Sequence, residues 1–278
     1  MNPVRWRWLV TLSCVVLAAA TTGWLLHRQE AGLSARLSGV VDTKSARRLS
    51  CAELAPPGSR VVLVLGQSMA GNHGPLVTPS LPPIRLLVNS DCFLANDPIS
   101  GSTGHGGSIW SRLPNALAQL GVREPIVISA MGIDATTIDD WTRSRSALRS
   151  RLLLQLREMV VAGLKPDLVL WQQGEADAQR RTSASEYSSA LSRLAGVLRE
   201  AGVDSPILLA KSTRCRSEPN IEIRLAIDQV TKANSQFRLG PDTDALEGEV
   251  NRLHGCHLTV AGMEAAARMW ASVIAAAH

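Results

Sequence analysis

The sequence predicts an α/β domain built on a central sheet of five parallel strands with helices on both faces. Five short aliphatic runs have the continuous apolar character of strands that are buried on both sides. Longer segments with helical spacing of apolar residues separate most of these runs, and this alternation is typical of parallel sheets. The predicted strands are Arg60–Leu65, Ile84–Val88, Ile126–Ser129, Asp167–Trp171 and Pro206–Ala210.

The predicted helices follow from the same spacing argument. The last one, Thr259–Ala276, places Met263, Ala267, Trp270 and Ile274 on one face, which suits a helix that covers a sheet. The other predicted helices have similar patterns and are Ser108–Leu120, Ala147–Ala162, Ala184–Ala201 and Ile221–Gln236.

The net charge of +5 does not indicate nucleic-acid binding. Arg5, Arg7 and Arg28 flank an apolar segment near the N-terminus, and without them the chain has 26 basic against 24 acidic residues. No cluster of lysine or arginine alternates with aromatic residues, as it would in a nucleic-acid-binding surface. The sequence therefore predicts no nucleic-acid partner.

The apolar segment Trp8–Leu26 contains 19 uncharged residues. At about 1.5 Å per residue, a helix of this length just crosses a hydrocarbon core of about 30 Å. The arginines before it predict a cytoplasmic N-terminus. We therefore predict a single-pass signal-anchor over residues 1–28 in the cell membrane, with the rest of the chain exported to the periplasm or an equivalent compartment. The alternative is a cleaved signal peptide with Ala18–Ala20 at its cleavage site.

Two regions follow the predicted anchor. Residues 29–55 are mostly polar and basic without a strong apolar period, so we predict a stalk between membrane and domain. Residues 56–278 carry all the predicted strands and helices and contain no internal repeat. They predict a single α/β domain.

Four cysteines lie beyond the predicted anchor. An even number in an exported domain permits two disulfides, and four cysteines allow three pairings. We expect Cys51 to pair with Cys92, and Cys215 to pair with Cys256. The alternative is that some of them are buried free thiols.

Candidate catalytic residues follow the predicted strands, because ligands of parallel sheets bind at the carboxyl ends of the strands. Ser68 follows the first strand and is a candidate nucleophile, exposed on a turn where backbone N–H groups stabilise a reacting oxygen. The alternative is a helix N-cap. His257 lies just before the last predicted helix and is a candidate general base. The alternative is a structural or surface histidine.

Two further residues are candidate donors to an oxyanion. Gln173, in the stretch WQQGEADA, could supply a side-chain amide, and Gly107, at the start of a predicted helix, could supply a backbone N–H. The alternatives are an ordinary loop amide and an ordinary turn glycine. His254 and Cys256 beside His257 are too few for a metal site, so we predict no metal and no organic cofactor.

Three motifs carry a resemblance to a known family. They are GQSMAGN at Gly66–Asn72, WQQGEAD at Trp171–Asp177, and HLTVAG beginning at His257. Their order resembles that of the SGNH-type hydrolases, and most closely the sialate O-acetylesterase-like carbohydrate esterases, over about Arg60–Ala276. The resemblance implies a three-layer αβα flavodoxin-like fold and a serine esterase that acts on an O-acylated sugar or polysaccharide without a cofactor.

The resemblance also implies roles for individual residues. Ser68 would attack an acetyl ester, and His257 would be the base. The backbone N–H groups of Ser68 and Gly107 and the side chain of Gln173 would hold the oxyanion. Met69 stands where the family has asparagine.

One position departs from the family motif D-x-x-H, because His254 occupies the position of the acid. A histidine cannot supply the negative charge that orients and stabilises the base. Another acid could serve, with Glu175, Asp244 and Glu247 as candidates. Alternatively, a backbone carbonyl could orient His257 in a Ser-His dyad, or catalysis has been lost and binding kept.

The function that we expect from these observations is a membrane-anchored, exported esterase that removes O-acetyl groups from a carbohydrate. Two alternatives remain at this point. One is a catalytically impaired carbohydrate-binding protein of the same fold, which the histidine at position 254 favours. The other is an O-acetyltransferase, because an acyl-enzyme can pass its acetyl group to a sugar hydroxyl instead of water.

Overall fold

The chain folds around a sheet of eight strands. This computed structural model describes residues 24, 27–42, 46–76 and 81–277. The strands lie in the order β1-β4-β3-β5-β2-β6-β7-β8. The six strands from β3 to β8 in this order are parallel, whereas β4 is antiparallel to both β3 and β1. Their bounds are β1 Arg47–Leu49, β2 Arg60–Gly66, β3 Ile84–Val88, β4 Asp91–Ala95, β5 Ile126–Gly132, β6 Leu168–Gln172, β7 Ile207–Lys211 and β8 Phe237–Asp242.

The sheet is mixed and larger than predicted. The five aliphatic runs all form parallel strands in its centre, but β1, β4 and β8 were not predicted. The edge strands β1 and β8 have exposed residues and therefore lack a continuous apolar run. The β4 strand follows β3 through a tight turn in which Asn89 has a φ of 55°. The prediction of a five-stranded parallel sheet is therefore corrected to a mixed sheet of eight strands.

Helices precede and follow these strands along the described chain. Residues 27–38 form α1. The others are α2 Cys51–Leu54, α3 Leu113–Gln119, α4 Ile138–Thr142, α5 Ala147–Val161, α6 Glu175–Arg180, α7 Ala184–Glu200, α8 Ile221–Ala233, α9 Gly248–Asn251 and α10 Val260–Ala276. Two short strands, β9 Arg252–Leu253 and β10 His257–Leu258, pair as a hairpin before α10. Within the described ranges, no helix combines the length and the apolar character needed to cross a membrane.

Four of the five predicted helices have nearly the predicted bounds, and their first residues explain where they begin. Ser146, Ser183, Asn220 and Thr259 each accept a hydrogen bond from a backbone N–H in the first turn of α5, α7, α8 and α10. The helix predicted at Ser108 begins only at Leu113, because the preceding residues form hydrogen-bonded turns. Gly107 therefore does not open a helix.

Two apolar layers, one on each face of the sheet, explain the three-layer architecture. The side chains of β2 alternate between them: Val61, Leu63 and Leu65 belong to one layer, and Val62 and Val64 to the other. The first layer also contains buried residues of α5, α7 and α8, and the second contains those of α3 and α10. The sheet is therefore covered on both faces.

The segment predicted as a stalk packs against this domain. Leu33 of α1 is fully buried in the first apolar layer. The Gln29 amide donates to the Asp140 carboxylate at 2.7 Å, and Glu30 forms an ion pair with Arg143 at 2.6 Å. Residues 29–55 also supply β1 and α2, so they belong to the domain rather than to a stalk. The predicted anchor, residues 1–28, falls outside the described residues except for residues 24, 27 and 28.

Two disulfides confirm the expected cysteine pairing. Cys51–Cys92 joins α2 to β4. Cys215–Cys256 joins the loop after β7 to the hairpin loop between β9 and β10. The second disulfide therefore ties the residue directly before His257 to a distant part of the chain.

Gly66 ends β2 in a conformation that a side chain would disturb. Its φ is 155°, and a Cβ atom there would lie 2.1 Å from the Gln172 carbonyl oxygen. The chain turns at this point because glycine alone tolerates so close a backbone approach. Ser68 therefore owes its position to the glycine two residues before it.

We expect Gly66→Ala to lower the free energy of unfolding by about 1–3 kcal/mol, because it adds backbone strain and a steric clash. Gly196→Ala is the matched control, since Gly196 lies on exposed α7 surface with no atom within 4 Å of the added Cβ. The control should raise stability by about 0.5–1 kcal/mol. Chemical denaturation measures both, and an unchanged stability in Gly66→Ala would contradict the strained turn.

Candidate active site

Ser68 begins a short 3₁₀ turn, Ser68–Ala70, directly after β2. The turn is closed by the Gly71 N–H, which donates to the Ser68 carbonyl oxygen at 3.0 Å. In the described part of the chain, the hydroxyl and backbone N–H of Ser68 have no hydrogen-bond partner. The hydroxyl therefore does not act as a helix N-cap. Both groups are available for a reacting carbonyl, although the residue is only 8% exposed.

His257 lies beside this turn at the same edge of the sheet. It begins β10, and β10 packs against the Ser68–Ala70 turn. Ser68, Gly107 and His257 line one small pocket of about 10 Å³, roughly the size that holds one water molecule. The remaining lining residues are Met69, Gly71, His73, Gly74, Ile109, Leu258 and Met263. The pocket thus brings together three of the four residues predicted as nucleophile, base or oxyanion donors.

His257 is held in a form that suits a general base. Burial lowers the pKa of its imidazole, and the nearby Arg216 and Arg252 lower it further, while Asp134 raises it. The neutral ring is therefore favoured near neutral pH, and a neutral ring accepts a proton from a serine hydroxyl.

His254 occupies the position where the family motif has an acid, and it is exposed with a φ of 49°. Two of the three other candidate acids are bound elsewhere. Asp244 accepts bonds from Thr213 and Arg224, and Glu247 pairs with Arg214 at 3.2 Å. Within the described ranges, neither carboxylate bonds to His257.

Glu175, the third candidate acid, is buried at the start of α6. Its Oε1 accepts a hydrogen bond from the Ser212 hydroxyl at 2.6 Å. Within the described residues, Glu175 makes no hydrogen bond to His257. Burial raises the pKa of the Glu175 carboxyl to about 8, and the charge of Asp244 adds to the rise. This carboxyl is therefore largely protonated at neutral pH and supplies little negative charge.

The Gly107 N–H is already used in the structure. It donates to the Gly74 carbonyl oxygen at 2.7 Å, and the Gly74 N–H donates back to Gly107 at 3.0 Å. This bridge joins the loop after the Ser68 turn to the loop before α3. Gly107 thus forms part of the pocket wall, with its donor directed at another backbone group.

The Gln173 amide also has acceptors, and Gln173 does not line the pocket. Gln173 is fully buried, and its Nε2 donates to the Asp177 carboxylate at 2.6 Å and to the Thr136 carbonyl at 3.0 Å. It also lies 3.2 Å from the Gln67 side-chain oxygen. Gln173 therefore holds the residue that precedes Ser68.

His73 is a residue of the pocket that the sequence analysis did not select. It lines the pocket with Ser68, and its ring stacks on that of His257 with centroids 5.1 Å apart. A second histidine five residues after Ser68 in the same loop was the available signal. Among the described residues, no group of three His, Cys, Asp or Glu side chains could hold a metal ion.

A large part of the chain matches the model of a known protein family. A family model described as carbohydrate esterase, sialic acid-specific acetylesterase, matches residues 107–274, which is more than half of the chain. The chain belongs to this family of carbohydrate esterases. It is therefore an enzyme of the class that acts on ester bonds, as the resemblance to SGNH-type esterases implied. The matched region includes Gly107, Gln173 and His257 and begins after Ser68.

Solved structures share the fold of this esterase. A protein from Arabidopsis thaliana has a TM-score of 0.61 at 18% identity, covering 78% of this chain and 98% of its own. The protein NanS has a TM-score of 0.56 at 14% identity, covering 80% and 98%. A tryptophan-to-isoleucine variant of Axe2, an acetyl-xylooligosaccharide esterase from Geobacillus stearothermophilus, has a TM-score of 0.50 at 20% identity. The match covers 78% of this chain and 95% of the Axe2 chain. No curated protein matches the chain.

We expect Glu175→Gln to leave esterase activity unchanged, because the buried carboxyl does not contact His257. The variant should change the pH dependence of stability instead. The unfolded chain releases this proton near the usual pKa of 4.5 and the folded chain near 8, so wild-type stability falls as the pH rises between these values. The slope is about 1.4 kcal/mol per pH unit for one proton.

Chemical denaturation from pH 5 to 8 measures this difference between the two proteins. The variant should lack the part of the fall that Glu175 causes. Identical pH dependence in both proteins would contradict a protonated Glu175, and a large loss of activity would restore Glu175 as the acid of the site.

Proposed function

We propose that the chain is a serine esterase that removes O-acetyl groups from a carbohydrate through an acyl-enzyme on Ser68. The observation that carries this proposal is the shared pocket of Ser68 and His257 at the carboxyl end of the parallel strands. Both Ser68 groups lack a partner among the described residues, and the adjacent histidine favours its neutral form. The small pocket and its apolar residues Met69 and Met263 suit a methyl group.

The mechanism follows from the chemistry of a serine and a neutral imidazole. His257 takes the hydroxyl proton as the Ser68 Oγ attacks the acetyl carbon, and the Ser68 N–H donates to the developing oxyanion. His257 then returns the proton to the sugar oxygen as it leaves. Water, activated by the same histidine, releases acetate and restores Ser68.

The roles that the family resemblance implies for Gly107 and Gln173 require a change of partners. For Gly107 to donate to the oxyanion, its bond to the Gly74 carbonyl would have to be exchanged for one to the substrate. For Gln173, the bond to Asp177 would have to be exchanged in the same way. Each oxyanion donor contributes about two to three orders of magnitude in turnover. The Ser68 N–H is the donor that needs no such exchange.

The proposed substrate is an O-acetylated sugar or polysaccharide. The matching family is described as sialic acid-specific, and one structure of the same fold is an acetyl-xylooligosaccharide esterase. O-acetylated sialic acid and acetylated xylo-oligosaccharides are therefore the two substrates to compare first. A sugar hydroxyl in place of water as acceptor would make the enzyme an acetyltransferase.

One observation favours a second candidate function, a carbohydrate-binding protein that has lost catalysis. The acid of the family motif is replaced by an exposed histidine, and no carboxylate bonds to His257 in the described part of the chain. Loss of the acid in such a triad costs about four orders of magnitude in turnover and leaves substantial residual catalysis. Reactivity of Ser68 therefore distinguishes the two functions.

We expect a fluorophosphonate probe to label Ser68 and His257→Ala to abolish the label, because the serine is a weak nucleophile without its base. Mass spectrometry locates the adduct, and acetate release from the two acetylated sugars measures turnover. His254→Ala is the matched control, since the exposed His254 should not affect labelling. Folded protein that stays unlabelled, with retained glycan binding, would favour the binding function.

We also propose that residues 1–28 anchor the enzyme in the cell membrane with its domain exported. The 19-residue uncharged segment Trp8–Leu26 supports this proposal. The two disulfides support export, because disulfides form and persist in oxidising compartments.

We expect an intact N-terminal peptide in the membrane fraction of cells that express the full chain, since an uncleaved anchor keeps its apolar segment. A variant without residues 1–28 should leave that fraction. Mass spectrometry of the N-terminus is the measurement, and a mature protein that begins near Thr21 would show a cleaved signal peptide instead.

A further inference from the structure

The His73 ring lies against the His257 ring in the wall of the Ser68 pocket. The two ring centroids are 5.1 Å apart and the planes differ by 27°, so the rings are stacked. Such a contact restricts the plane of the His257 ring. No hydrogen bond to the His257 ring occurs within the described residues, so hydrogen bonding does not hold the ring in place there.

Thr103 fixes the His73 ring in turn. The His73 Nε2 lies 3.3 Å from the Thr103 Oγ1, and that hydroxyl donates its single proton to the Gly132 carbonyl at 3.1 Å. The same oxygen accepts the Asp134 N–H at 3.0 Å. Since the hydroxyl proton is committed to Gly132, we assign the proton of this contact to His73 Nε2, which donates to Thr103.

We propose that His73 is a positioning residue that holds the His257 ring by stacking, in the place of the acid that the family motif has at position 254. The proposal rests on the proposed function of His257 as the base. An acid normally orients the imidazole through a hydrogen bond at the ring edge. Here the orientation comes from the ring face, through a chain of contacts that runs from Gly132 to Thr103, His73 and His257.

The charges around the two rings agree with this role. Burial lowers the pKa of His73, the charges of His257 and His105 lower it further, and Asp134 raises it. His257 faces Arg216 and Arg252, which lower its pKa, and the same Asp134, which raises it. Both rings therefore favour the neutral form near neutral pH, and His73 is a neutral stacking partner. Asp134 is the carboxylate whose charge favours the imidazolium that forms during the reaction.

The test compares His73→Phe, His73→Leu and His73→Ala. Phenylalanine keeps a flat ring, leucine keeps the apolar bulk without it, and alanine removes both. The rate of Ser68 labelling by the fluorophosphonate probe, measured against pH, reports on the base. We expect the leucine and alanine variants to label about 10–100-fold more slowly, since a misplaced base loses about this much, whereas the phenylalanine variant stays near wild type.

The pH profile separates positioning from loss of structure. With His73→Ala, water reaches His257, so the acid limb of the labelling rate should move up toward the usual histidine pKa of 6.5. His105→Ala is the matched control, because His105 is an exposed histidine on a neighbouring loop that does not line the pocket. It should leave both rate and acid limb unchanged. Circular dichroism shows whether each variant folds.

Two results would overturn the inference while the proposed function stands. They are an unchanged rate and acid limb in the alanine variant, or equal rates in the phenylalanine and leucine variants. Failure of the wild-type enzyme to label Ser68 would instead contradict the proposed function. In that case, NMR titration of His257 in the Ser68→Ala background tests the stack directly, and an unchanged His257 pKa after His73→Ala would overturn it.

Discussion

The close backbone approach at the carboxyl end of β2 is the constraint on which the site depends. A Cβ at Gly66 would lie 2.1 Å from the Gln172 carbonyl oxygen, and a Cβ at Gly132 would lie 2.4 Å from the Ala70 carbonyl carbon. The absence of side chains at both positions lets the Ser68 turn lie directly on the sheet edge. The candidate nucleophile is therefore attached to a central strand in which every residue except the first is buried.

The candidate base reaches the same edge through groups that are distant in sequence. The Cys215–Cys256 disulfide and the buried guanidinium of Arg252, which donates to the Cys256 carbonyl oxygen at 2.7 Å, hold the loop before His257. Burial lowers the pKa of His257, and the charges of Arg216 and Arg252 lower it further, so the neutral imidazole is favoured. The same surroundings would disfavour the imidazolium of the proposed reaction, whereas the charge of Asp134 would favour it.

The strands and the helices with strong caps could be predicted, because buried parallel strands and capped helices leave local patterns in the sequence. The edge strands β1 and β8 could not be predicted, because each has exposed residues and therefore lacks a continuous apolar run. The predicted stalk was also wrong for a tertiary reason. The segment is mostly polar, so the few apolar residues that pack on the domain, such as Leu33 and Leu37, form no clear pattern. The ion pair of Glu30 with Arg143 also binds the segment to the domain.

By itself, the sequence determined the α/β class, the order of the motifs, and the choice of Ser68 and His257 as candidate residues near the carboxyl ends of the strands. These depend on hydrophobic periodicity and on residues that act locally. Only the tertiary structure decided that the Gly107 N–H and the Gln173 amide already have acceptors, that burial raises the pKa of Glu175, and that His73 stacks on His257. Hydrogen-bond partners and burial come from residues far apart in the chain, and no local pattern records them.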